Sequence, residues 1–134
     1  MTRLFFVLTV VAVVTARLVP AQGNGLPKGA KTMHGMIGKM IAVEGKRDEL
    51  IAILLAGTKG MPGCLNYVVA KDPADADAVW VSEVWEDQAG HKASLALPAV
   101  KDAITKGRPL IAKFDLSVPT EPVGGHGLPA AKDR

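Results

Sequence analysis

Residues 82–91 read Ser82-Glu83-Val84-Trp85-Glu86-Asp87-Gln88-Ala89-Gly90-His91. The order predicts a strand ending at Trp85, a turn, and a helix with an imidazole in its first turns. Imidazole is the side chain that most readily exchanges a proton near neutral pH, so His91 is the candidate base. The alternative role for it is a capping or surface histidine. Upstream, Pro62-Gly63-Cys64-Leu65-Asn66-Tyr67 puts polar and aromatic groups on an element expected to lie alongside. Asn66 is a candidate donor for orienting a ligand or stabilising an anion, or else a partner for a strand end. Tyr67 has the opposite parity, so both share one cavity only if a bulge intervenes. Trp85 shares parity with Glu83 and is the candidate pocket wall, with ordinary core as the alternative. Met36 and Met40 supply adaptable apolar surface that would suit an aromatic ligand. Glu83, in an apolar strand, needs a partner if buried, and Arg47, Lys39 and Arg108 are candidates. It reads first as an ion-pair member and second as a group that orients a catalytic partner. His34, at a strand start, and His126, in the tail, read as incidental.

The elements that must position these groups follow from the pattern. His34 to Ala42 is a Met- and Ile-rich strand without clean alternation, as expected when both faces are covered. Glu44 to Leu55 is a helix, with Arg47, Leu50, Ile51, Leu54 and Leu55 along one stripe and Gly57 and Gly60 ending it. Gly63 to Lys71 and Ala78 to Glu86 form a hairpin across the turn-rich residues 72–77. Gln88 to Leu97 is a second helix broken by Pro98, and a short helix stopped by Gly107 follows. Leu110 to Val118 is the last strand. The order β-α-β-β-α-β predicts an α+β fold of ferredoxin-like type, an antiparallel sheet with its helices on one face. Apolar residues at both parities call for cover on the other face, and a second copy of the sheet is the simplest cover.

A chain of 134 residues with 49% hydrophobic content supports one modest core. Arg3, the 13 uncharged residues Leu4 to Ala16, and Val19-Pro20-Ala21 predict a cleaved export signal over residues 1–21. The run is short for a membrane span, so no stable span is expected after cleavage. An uncleaved anchor and a cytosolic start at Met33 are the alternatives. Residues 22–32 read as a flexible spacer, 33–118 as the domain and 119–134 as a tail. The formal charge is +3, but losing Arg3 and Arg17 leaves 14 basic against 13 acidic residues, a net of +1. Without a basic block, nucleic-acid binding has no electrostatic support. Cys64 is the only cysteine, so an internal disulfide and the cysteine-based zinc motifs are excluded.

The element order, the Pro62-Gly63-x-x-x-Tyr67 strand entry, the Glu83-Val84-Trp85 strand end and the following His91 together resemble the antibiotic biosynthesis monooxygenase family. The resemblance runs over Met33 to Asp115. It implies a dimeric α+β barrel and, for the quinol monooxygenase-like members, oxygenation of a quinol or phenolic aromatic by O2 without flavin, haem or metal. It implies no metal site and no cofactor. Many relatives carry a second histidine shortly after the first, where this chain has Ser94. A non-catalytic dimeric module binding a small hydrophobic compound is therefore the rival expectation. Haem-degrading relatives use an Asn on the first strand, and residues 34–40 contain none, which disfavours a haem-handling role.

Overall fold

Apolar runs and glycine- and proline-marked turns divide the chain into four strands and three helices. The computed structural model describes residues 32–129; the expected signal and residues 22–31 of the spacer lie outside them. The elements are β1 (His34–Ala42), α1 (Arg47–Gly57), β2 (Cys64–Lys71), β3 (Ala78–Trp85), α2 (Gln88–Ser94), α3 (Pro98–Gly107), a 3-10 turn (Arg108–Leu110) and β4 (Ile111–Thr120). The sheet order is β2-β3-β1-β4, all antiparallel, which is the ferredoxin-like arrangement.

Where boundaries differ from the sequence reading, the backbone explains it. α1 starts at Arg47 rather than Glu44 because Gly45 takes a left-handed conformation (φ 72°) in a turn closed by Lys46 N–H donating to the Val43 carbonyl. α2 stops at Ser94 because Pro98 holds Leu97 extended, at φ −65° and ψ 136°. Pro98 then opens α3 at the position where a missing N–H costs nothing. β4 runs through Pro119 to Thr120, which an edge strand tolerates.

Two apolar clusters fill the space between sheet and helices. One joins Leu50 of α1 to Ala42, Val79 and Val81, and the other joins Val100 of α3 to Met61 and Trp85. Tyr67 packs against both. α1 and α3 approach so closely that a Cβ at Gly57 would lie 2.4 Å from the Ala103 Cβ. The opposite sheet face carries a row across all four strands: Val68, Ser82, Ile37 and Val118. The three apolar members are 47%, 40% and 40% exposed, in the order Val68, Ile37, Val118. Among the described residues no helix is long and apolar enough to cross a membrane.

Candidate functional site

Parity places the inner-face residues. β1 contributes Met36 and Met40, β2 Tyr67, and β3 Glu83 and Trp85. The strand register aligns Tyr67, Glu83 and Met36 in one row across the sheet, with Trp85 and His34 paired in the row beyond. Beneath the helices these side chains, His34 excepted, line a cavity of about 320 Å³, at the small end of ligand pockets. Leu50 and Leu54 of α1, and Val100 and Ala103 of α3, form its roof. Half-exposed Leu95, Ile104 and Phe114 lie along its open side.

α2 brings His91 to one end of this cavity. The Asp87 carboxylate caps the helix by accepting from Gly90 N–H at 2.8 Å, which fixes where the first turns begin. The Ser94 hydroxyl is buried and donates to the His91 carbonyl at 2.7 Å. The His91 imidazole sits against Trp85, with ring centroids 5.3 Å apart, and its Nε2 is 3.7 Å from Glu83 Oε1. The Trp85 indole N–H donates to Glu83 Oε2 at 2.8 Å. The side chains of His91 and Glu83 are 19% and 13% exposed. One carboxylate therefore has an indole donor on one oxygen and an imidazole facing the other. That arrangement can orient the imidazole and stabilise it once it has accepted a proton.

This corrects the expected pairing of Glu83. Arg47 instead donates to the carbonyls of Asp72 and Asp75, at 3.4 and 3.0 Å. Lys39 lies on the other face, bound to Asp72 at 2.9 Å and over the Trp80 ring. Arg108 lies over the Phe114 ring, 5.1 Å from its centroid. His34 is also not incidental: its ring stacks on His91 at a centroid separation of 5.0 Å. Its shared parity with Met36 and Met40 was the signal that could have found it. His126 is exposed in the tail.

Asn66 is the residue that the structure does not bring in. A bulge does interrupt β2, but between Cys64 and Asn66. Asn66 and Tyr67 therefore still alternate. Asn66 is exposed, whereas Tyr67 faces the cavity. Burial, with the nearby Glu83 charge second, holds the Tyr67 phenol well above its ordinary pKa, so it remains a neutral donor. Burial likewise pushes the Cys64 thiol up, which makes it a poor nucleophile. Among the described residues no three His, Cys, Asp or Glu side chains gather as metal ligands would.

Comparison with known proteins places this chain in a family. The family model described as "Antibiotic biosynthesis monooxygenase" matches residues 33–106. A crystal structure of a Chloroflexus aurantiacus J-10-fl protein that bears the antibiotic biosynthesis monooxygenase name is 60% identical. It covers 73% of this chain and 100% of its own, with a TM-score of 0.72. Similarly named proteins share the fold at low identity. One from Caulobacter crescentus CB15 has a TM-score of 0.64 at 18% identity, covering 71% of this chain and 93% of its own. One from Nitrosomonas europaea has a TM-score of 0.65 at 10% identity, covering 69% and 92%. No curated protein matches the chain. The residues matched run from β1 into α3, so the His91 helix and the cavity walls on β1, β2, β3 and α1 fall within the likeness, and the chain belongs to the antibiotic biosynthesis monooxygenase family.

Proposed function

We propose that this protein oxygenates a quinol or phenolic aromatic with O2, with His91 as general base. The observation that carries the reading is the His91 imidazole at the end of an apolar cavity, backed by a carboxylate that is itself held by Trp85. A quinol donates electrons far better once deprotonated. His91 removes the hydroxyl proton, and Glu83 stabilises the imidazolium that results. The phenol of Tyr67, kept neutral by burial, can donate to the developing anion. Trp85, Met36 and Met40 provide the surface against which the ring lies. The reaction balances on the substrate alone. One oxygen atom enters the ring, the other leaves as water, and all four electrons come from the quinol. No further reductant is required.

The bare apolar row of Val68, Ile37 and Val118 supports the second part of the reading, a homodimer formed sheet to sheet. The part played by residues 1–21 in export is likewise a proposal, resting on their composition.

The reading is tested by incubating purified protein with a panel of hydroquinones under isotopically heavy O2. One heavy atom per product molecule is expected, with one O2 consumed per quinol. Tight binding of the same compounds with no oxygen consumed would favour the rival, a binding module; that Ser94, its hydroxyl engaged by the His91 carbonyl, stands where the family resemblance implies a second histidine in many relatives is what favours it. A haem titration that gives a Soret shift would favour the haem-handling role instead.

A further inference from the structure

The cavity has a second polar end, opposite His91. Met36, beside Glu83, and Met40, beside Phe114, stand four residues apart on β1, about 13 Å at the strand rise. At the Met40 end the lining includes Arg108, its one permanent cation. The Arg108 side chain is exposed, but its backbone is held on both sides. It follows Gly107, which is buried so close to α1 that an added Cβ would lie 3.3 Å from Leu50 Cδ1. It precedes Pro109 in a 3-10 turn whose last residue, Leu110, packs on the core. Its guanidinium lies over the Phe114 ring, and among the described residues no carboxylate pairs with it. Lys106, the other cation at this end of α3, is already paired with Asp102. A guanidinium held over a ring face still has N–H donors to offer, and their fork matches a planar carboxylate.

We propose that Arg108 binds a carboxylate on the substrate, so that the ligand class is an aromatic hydroxy acid. Its reacting hydroxyl lies at His91 and its acid group at the far end of the ring system. The hydroxyl end of this assignment rests on the reading of His91 given above; the acid end rests on Arg108 alone. The cavity volume suits one or two fused rings between the two ends.

The test uses a matched pair of probes under anaerobic conditions: 5,8-dihydroxy-2-naphthoic acid and its carboxamide. Binding is read by quenching of tryptophan fluorescence, since Trp85 lines the cavity. The acid is expected to bind about tenfold more tightly than the amide, a margin that shrinks as salt rises. Arg108→Gln should abolish the margin by weakening the acid about tenfold more than the amide, and Arg108→Lys should restore part of it. Circular dichroism of each variant confirms that the fold is kept. Absence of acid binding, equal affinity for the two probes, or a margin that survives in Arg108→Gln overturns the proposal. Admitting O2 separates the two readings. Arg108-dependent binding without oxygen uptake leaves the anchor standing and removes the oxygenase. Uptake with a KM that ignores both the acid group and Arg108 does the reverse.

Discussion

At the scale of single residues, Glu83 and Tyr67 assist the proposed proton removal in different ways, one facing His91 and the other the developing anion. Glu83→Gln keeps the shape and removes the charge that faces His91 Nε2. It should lower kcat by about tenfold or more with little change in KM, because the imidazolium it supports forms only along the reaction. Tyr67→Phe should lower kcat by a constant factor across about pH 6 to 9. Burial keeps the phenol protonated throughout that range, so a ratio that moved with pH would contradict its role as a neutral donor. Much of this residue set was legible in the sequence. Parity alone separates Tyr67 from Asn66 and groups Trp85 with Glu83, and β1 follows the same rule at Met36 and Met40. The partner of Glu83 was not legible, because the choice between Arg47, Lys39, Arg108 and an imidazole depends on where α2 lands. His34 was missed for the same reason: a histidine at a strand start gains meaning only when another ring comes to rest on it.

At the scale of elements, the site depends on how short helices are pinned over the sheet. The Asp87 cap holds the seven-residue α2, which is too short to be stable by itself. Asp87→Ala should cost about 1 kcal/mol in thermal or denaturant unfolding. It should also lower turnover more than that loss predicts, because His91 sits on the first turns. The α1–α3 crossing sets the cavity roof, and Gly57→Leu, forced against Ala103, should destabilise by about 1–3 kcal/mol. The β2–β3 connection is fixed by Asp72, whose carboxylate accepts from Lys39, Ala74 N–H and the Trp80 indole. These bonds, the one from Lys39 foremost, hold it well below the usual carboxylate range. A pKa lower in the folded than in the unfolded chain stabilises above the unfolded value of about 3.9 and is lost as pH falls through the folded one. Asp72→Asn should therefore melt below the parent at neutral pH, and the two curves should converge as the solution is acidified below about pH 4. The strands themselves were legible from period and turn residues. The helix ends were displaced by Gly45 and Pro98, whose effects on neighbouring residues outweigh the apolar stripe.

At the scale of the molecule, one face of the sheet lines the cavity and the other carries an exposed, mostly apolar row. Four strands with helices on one side bury only half of what their sequence offers, and the row of Val68, Ile37 and Val118 is the remainder. Ile37→Lys should turn a dimer into a monomer by light scattering; a parent protein that is already monomeric contradicts the sheet-to-sheet pairing. The central claim is narrower, namely that the imidazole at position 91 removes the proton that makes the bound aromatic reactive toward oxygen. Oxygen-electrode rates of the parent and His91→Ala on the best hydroquinone in the panel test it most directly. The expected result is a fall of about 10²–10⁴-fold in kcat with anaerobic affinity retained. Equal rates in the two proteins would contradict it.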